Sequence, residues 1–375
     1  MTDGAVKGDF WQGRRVFLTG HTGFKGGWLA LWLHGLGART TGFALEPPTL
    51  PSLFRMAGVD AVLEDRRGDI RDPAAVAAAM RAAAPEIVFH LAAQPLVRLS
   101  YQEPVATFAT NVMGTAHLLE AVRQTPSVRA VVIVTSDKCY ENREWVWGYR
   151  ENDPMGGHDP YSASKGCTEL LTAAWQRSFF PVARLAEHRV AVASVRAGNV
   201  IGGGDWAADR LVPDAMRAFL AGETVRIRNP QAVRPWQHVL EPLSGYLAVA
   251  EALCGPEAAD FAQSWNFGPG PEAEQTVGTV VSRLGALWGD GAVWSLDDGP
   301  HPHEAGWLAL DSAKARRLLG WTPRWSLDQA LEATVAWYRA SRDGIGRSDE
   351  TMAALTRAQI AAYARSALPS PPPAS

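Results

Sequence analysis

The sequence predicts an α/β fold, a doubly wound parallel sheet followed by a smaller C-terminal α/β lobe, and three observations carry that prediction. Short β-branched runs alternate with Ala/Leu-rich amphipathic stretches from Arg15 to about Val200. The runs are apolar throughout, as strands covered on both faces by helices must be. After Gly202 the texture changes to shorter elements, more Trp and Pro, and Arg-rich loops such as "RIRNPQAVRPWQHV". Strands spaced by helices are how parallel βαβ units read in a sequence.

In chain order, "RVFLTG" is the first strand and "ARTTGFAL" the second. A helix is expected over Pro73 to Ala84, then the strand "EIVFHLAA", a helix over Asn111 to Gln124, and the strands "RAVVIVTS" and "RVAVASVRAG". This gives a first domain over 1–200 that also holds the catalytic candidates, and a smaller lobe over 201–345. Those boundaries are approximate, and segments can interleave. Residues 346–375 are expected to form a C-terminal helix and a tail. The tail "SALPSPPPAS" is Pro/Ser-rich with almost nothing to bury, so disorder is expected there.

Composition narrows the function classes. The chain has 375 residues, 47% hydrophobic and 20% charged, with a net charge of -3. That is a globular balance, and no basic excess points to nucleic acid. Three widely spaced cysteines, Cys139, Cys167 and Cys254, suit a reducing compartment better than a disulfide framework or a zinc site, which makes the cytoplasm the expected location. Cys139 and Cys167 read as small core residues. The start "MTDGAVKGDFWQGRR" lacks the features of a signal peptide, and no apolar run reaches the roughly 18 to 20 residues that span a bilayer, so no membrane partner is expected. The fifteen Trp are scattered and read as packing residues. His158, His301 and His303 have no ligand spacing, and no metal is expected.

"VFLTGHTGFKGGWLALWL" reads as strand, glycine turn and helix, with Gly20, Gly23 and Gly26 in GxxGxxG spacing. A diphosphate needs donors at close range and no Cβ in the way, and a helix N-terminus supplies free N–H groups and a positive dipole end. The turn therefore predicts a Rossmann-type dinucleotide cradle. An acidic residue about 20 positions on would grip an adenosine ribose and favour NAD. Glu46 is the candidate, although Pro47 and Pro48 also suit a loop there, and Arg39 keeps NADP open. Asp69 and Ile70 in "GDIRD" read either as adenine contacts or as a solvated turn.

"YSASK" puts Tyr161 and Lys165 one helical turn apart on one face, directly after Pro160. A phenol acting as a base near pH 7 needs its pKa lowered by roughly three units, and nearby positive charge works in that direction. "TSDKCY" places Asp137 and Lys138 side by side at the end of a buried strand. Adjacent strand residues point to opposite faces, so both reach one substrate only if the chain has already left strand geometry. Otherwise they form a surface ion pair.

The order "TGHTGFKG", "HLAAQ", "TSDK", "YSASK" and "RAGNVIGGGDW" resembles the extended short-chain dehydrogenase/reductases, the NAD-dependent epimerase/dehydratase family, from about Gly13 to Tyr338. Within it the similarity is to the nucleotide-sugar 4,6-dehydratases. The resemblance implies NAD held by Gly20, Thr22, Gly23, Phe24, Gly26, Asp69, Ile70, Leu91, Ala92, Ala93, Asn111, Tyr161 and Lys165. It also implies a CDP-linked glucose held through Gln94, Asn199, Arg210 and Arg234, arginines having the fork geometry a diphosphate suits. Ser136 would bond the sugar 4-hydroxyl and Tyr161 would take its proton. Lys165 would hold the nicotinamide ribose and lower the tyrosine pKa. Asp137 would be the acid at the C6 oxygen and Lys138 the base at C5, where related dehydratases commonly carry Glu. A lysine base must first lose its proton, a process that a neutral Asp137 would not oppose. A homodimer or homotetramer is implied through the helices near Asn111 to Gln124 and Tyr161 to Trp175.

Rival readings remain at this stage. A 4-epimerase needs the cradle and Tyr/Lys but neither C5 base nor C6 acid, and a reductase would consume NADPH. A sensor that keeps the fold but not the reaction would show a broken Tyr/Lys or Ser/Asp site, and neither is broken here.

Overall fold

In the computed structural model, described over residues 6–297, 299, 306–343 and 349–366, seven parallel strands form one central sheet. They are β1 (Arg15–Thr19), β2 (Arg39–Ala44), β3 (Glu64–Arg67), β4 (Ile87–His90), β5 (Ala130–Val134), β6 (Ala191–Arg196) and β7 (Ser264–Asn266). Their spatial order is β7-β6-β5-β4-β1-β2-β3, parallel at every pairing. The order reverses between β1 and β4. The crevice at that switch point, outside the strand C-termini, is where doubly wound sheets bind ligands.

Side-chain alternation divides the core into two. On β5, Val131 and Ile133 join one buried cluster while Ala130, Val132 and Val134 join another. The first cluster is closed by α2 (Pro73–Ala83) and α3 (Gly114–Arg123), through Val76, Met80, Leu118 and Leu119. α1 (Phe24–Gly35) closes the second, larger cluster with Trp28 to Leu33, all buried. Each such large apolar side chain taken from water contributes about 1.5–3 kcal/mol, so both faces of the sheet are firmly held. α4 (Pro160–Phe179) carries the predicted Tyr/Lys pair, and its start is fixed twice over. Pro160 occupies its first turn, and the Asp159 carboxylate accepts from Ser162 N at 2.9 Å and Ser162 Oγ at 2.6 Å.

Beyond β6 the chain builds smaller pieces. Val225–Ile227 pairs with Trp294–Leu296, Val233–Pro235 with Glu274–Thr276, and Gln237–His238 with Val200–Ile201. It also returns to the sheet. α6 (Leu240–Leu253), which follows α5 (Leu211–Ala221), packs on β5 and β6, and β7 extends the sheet edge. A helix over Asp349–Arg365 docks by Tyr363 against Trp32. His301, His303, the segment 344–348 and the tail from 367 lie outside the described residues. No helix among the described residues is long and apolar enough to cross a membrane.

The five strands named from the sequence lie where the apolar runs are. β3 was not among them, because "EDRR" at the exposed edge buries nothing. The helix expected from Asn111 begins one turn late, since Ala109–Met113 takes π geometry before α3.

Candidate active site

The glycine turn sits at the tip of β1, directly before α1, with Gly23 as the N-cap and no side chain capping the helix. Gly20 has φ +78°, and a Cβ there would stand 2.7 Å from Ala92 N and 2.9 Å from the Leu91 carbonyl carbon at the tip of β4. A Cβ on Gly26 would come within 2.8 Å of His21 Cα. These two glycines let the β1 turn, the first helical turn and the Leu91–Ala93 segment approach one another. Thr22 is buried beside them and Phe24 faces the adjoining cavity. His21 fills the space under Gly42 and is bonded to Asp65 at 2.8 Å. Burial keeps its imidazole below the ordinary pKa.

Ile70 is buried, and a Cβ on Gly114 would meet its side chain. Asp69 is bonded to Arg71 through both oxygens. Asn111 is a tether: its amide donates to Ser164 Oγ at 2.8 Å and Gln94 O at 3.1 Å, and its Oδ1 accepts from Gln94 N at 2.8 Å. Glu46, beyond the end of β2, is exposed and pairs with Arg55 at 3.7 Å and Arg67 at 3.5 Å, whereas Arg39 opens β2 at its other end.

A cavity of about 740 Å3 opens beside this cradle. It brings together Ser136, Asp137, Lys138, Tyr161, Asn199, Arg210 and Arg234 from the predicted set. β5 ends at Val134, and Asp137–Cys139 forms a 3₁₀ turn capped by Ser136, so the chain has left strand geometry before the Asp-Lys pair. Asp137 is buried. Its Oδ1 accepts from Ser136 Oγ at 3.0 Å, and its Oδ2 has no hydrogen-bond partner among the described residues. Burial pushes the Tyr161 phenol up to about 12, opposite to the lowering expected from the sequence, although a hydrogen bond with Ser136 and the charge of Arg210 work the other way. Lys165 is buried and not among the cavity-lining residues, and it donates to Val134 O at 3.2 Å; burial pulls its ammonium down to about 8, with Glu169 working against the shift.

Two predicted substrate contacts are engaged elsewhere. Gln94 spends its amide on Leu96 O and Thr107 Oγ1 and is not among the cavity-lining residues. Arg210 lines the cavity but is bonded to the buried Asp205 at 2.8 Å. Arg234 donates to Val233 O at 2.8 Å, and Asn199 holds a left-handed turn at φ +46°.

Lys25, Arg226, Arg228 and Asn229, not expected from the sequence, also line the cavity. Lys25 was visible as a cation inside the glycine motif. Burial, then the Arg210 charge, bring its ammonium down to about 8. No cluster of His, Cys, Asp and Glu among the described residues could hold a metal ion.

The arrangement offers a phenol, a carboxyl group and amines at one wall of a cavity, beside a backbone cradle, which is suited to proton transfers on a polar substrate next to a bound dinucleotide. Comparison with known proteins agrees. The family model for GDP-mannose 4,6 dehydratase matches residues 17–262. The CDP-glucose 4,6-dehydratase of Salmonella typhimurium is 58% identical over 332 residues, covering 88% of this chain and 92% of that protein. A dTDP-glucose 4,6-dehydratase of Streptomyces griseus is 30% identical over 68% of this chain and 72% of its own. A solved dTDP-glucose 4,6-dehydratase from Streptomyces venezuelae, with NAD bound, superposes with a TM-score of 0.72 at 26% identity, covering 88% of this chain and 98% of that one.

Proposed function

This chain belongs to the GDP-mannose 4,6 dehydratase family, and on that premise we propose that it is a hydro-lyase converting CDP-D-glucose to CDP-4-keto-6-deoxy-D-glucose with NAD as resident coenzyme. The choice of CDP-glucose is supported by the 58% identity to a relative of that activity. The observation that carries the reading is Asp137, a buried carboxyl with one unpartnered oxygen, on the same short turn as Lys138 and beside Ser136.

The cradle fits NAD because Gly20 and Gly26 occupy positions where any side chain would collide with backbone at the tips of β1 and β4. Gly20 to Gly26, Asp69, Ile70, Leu91 to Ala93, Asn111, Tyr161 and Lys165 would hold it. When bound, NAD would supply hydride chemistry, as acceptor at sugar C4 and donor at C6.

The chain's own residues move the protons. Tyr161 takes the C4 hydroxyl proton, which requires positive charge beside the phenol to bring it down from about 12. A ketone at C4 makes the C5 hydrogen acidic, and Lys138 removes it. Asp137 donates to the departing C6 oxygen, so water leaves across C5–C6. Arg210 and Arg234, with Asn199, line the cavity where the diphosphate would lie. The protein acts as a homo-oligomer, supported by an unpartnered apolar surface: Val105 is 81%, Met113 52% and Leu170 60% exposed on neighbouring helices.

Incubation with CDP-, dTDP-, UDP- and GDP-glucose tests the reading. The alkali-induced absorbance of a 4-keto-6-deoxy sugar should appear with the CDP sugar first. Absence of that product from all four, or epimerised sugar in its place, would overturn it.

A further inference from the structure

Gly198 follows β6 in "RAGNV" and lines the cavity together with Asp137. Its backbone does not require glycine: the left-handed residue of this turn is its neighbour Asn199, at φ +46°. The requirement is lateral. A Cβ built on Gly198 would fall inside the carboxyl group of Asp137, nearer to Oδ2 and Cγ than any real contact allows and 2.6 Å from Oδ1.

The backbone on either side of this contact is held in place. Gly198 O accepts from the buried Gln237 Nε2 at 3.2 Å, Asn199 O accepts from Gln237 N at 3.3 Å, and Gln237 pairs with Val200 in a parallel ladder. Gln237 Nε2 is anchored in turn to Phe267 O at 2.9 Å. On the other side, Cys139 N donates to Ser136 O at 3.3 Å and Gly156 N donates to Cys139 O at 2.8 Å, fixing the turn that carries Asp137. The Asp137 side chain is the one soft element, so a methyl group at 198 would force it to rotate away from Ser136.

Resting on the dehydratase reading, we infer that Gly198 is a positioning residue for the loss of water: its missing side chain is the space in which the Asp137 carboxyl stands, poised at the C6 oxygen. A Gly to Ala change at an unstrained position ordinarily stabilises a chain slightly, so a cost at 198 has to arise from this contact.

The test is a double-mutant cycle of Gly198→Ala and Asp137→Ala, reading two rates in heavy water with CDP-glucose: deuterium entry at C5, and product formation. Gly198→Ala alone should slow product formation by about 10²-fold or more while C5 exchange persists, the signature of a lost acid. In the Asp137→Ala background, adding Gly198→Ala should change product formation by less than about twofold, because the group it displaces is gone. If Gly198→Ala fails to fold, the double variant should fold, since the clash is relieved. An equal cost in both backgrounds, loss of exchange and product together, or a double variant that also fails to fold would overturn the inference. Failure of the dehydratase reading shows separately, as absence of product from the unmodified chain.

Discussion

Two buried carboxylates flank the end of β5, and they are treated in opposite ways. Thr135 and Ser136 are consecutive, yet Thr135 Oγ1 donates to Glu169 and Ser136 Oγ to Asp137. Glu169 is saturated: besides Thr135 at 2.5 Å it receives Ser194 Oγ at 2.7 Å and Arg196 through Nε at 2.9 Å and Nη2 at 2.7 Å. Burial pushes its pKa up, but the Arg196 charge and these donors bring it below the ordinary value. Arg196 passes the bonding on to Tyr140 OH at 2.6 Å, and Tyr140 to Asn266 on β7 at 2.8 Å, so the Glu169 side binds β5, β6, β7 and α4 into one frame. Asp137 has a single donor and an empty oxygen. Because an unsatisfied buried polar group costs about 1–3 kcal/mol, the fold sustains that deficit at the cavity wall and nowhere in the frame beside it.

Substitution of each carboxylate should break the comparison in its own way. Asp137→Asn should lower product formation by about 10²- to 10⁴-fold while leaving the thermal melting point nearly unchanged, since little bonding is lost. A large drop in melting temperature with retained turnover would place Asp137 in the scaffold instead. Glu169→Gln leaves the buried Arg196 charge without its counter-ion, and urea unfolding should show a loss of about 3–5 kcal/mol. An unchanged unfolding midpoint would show that the frame does not depend on this pair.

A third buried carboxylate sharpens the contrast. Glu241 on α6 accepts from Tyr363 OH at 2.6 Å and Trp325 N at 2.8 Å, as well as from Arg324 N, but no guanidinium among the described residues is bonded to it. Burial therefore prevails and raises its pKa to about 7. Between the unfolded carboxyl value and about 7 the folded state holds the extra proton, so stability falls as pH rises through that window, by up to about 3 kcal/mol. Glu241→Gln should remove this fall. The change in unfolding free energy between about pH 5 and about pH 8 should differ between the two proteins by about 2.5 kcal/mol. His90 and His238, kept neutral by burial down to about 3, act alike in both proteins and cancel in the difference. Parallel pH profiles would mean that Glu241 keeps an ordinary carboxyl pKa.

What the sequence made legible was local. The glycine spacing, the Pro160 start of α4 and the Tyr161–Lys165 step each depend on residues within one turn of one another, and the glycine turn does lie before α1, Pro160 in the first turn of α4 and Tyr161 at the cavity. β3 and β7 were not legible, being four and three residues long, one charged at an exposed edge and the other read as part of the smaller lobe. Nor were the pairings across the chain. Arg210 looks like a free phosphate fork in "AADRLVPD", but Asp205 already holds it. Gly198 looks like an ordinary loop glycine, and only the fold brings it against Asp137. Backbone requirements leave their mark at fixed spacing, whereas the saturation of a buried carboxylate depends on residues that no spacing rule connects.

The central claim is that Asp137 and Lys138 carry out an elimination that is internal to one sugar. Turnover of CDP-glucose deuterated at C4 in ordinary water, and of unlabelled CDP-glucose in heavy water, tests it most directly by NMR of the product. The claim predicts migration of the C4 label to C6 in the first experiment and solvent deuterium at C5 in the second. Product that has lost the C4 label to solvent and carries no deuterium at C5 would contradict it.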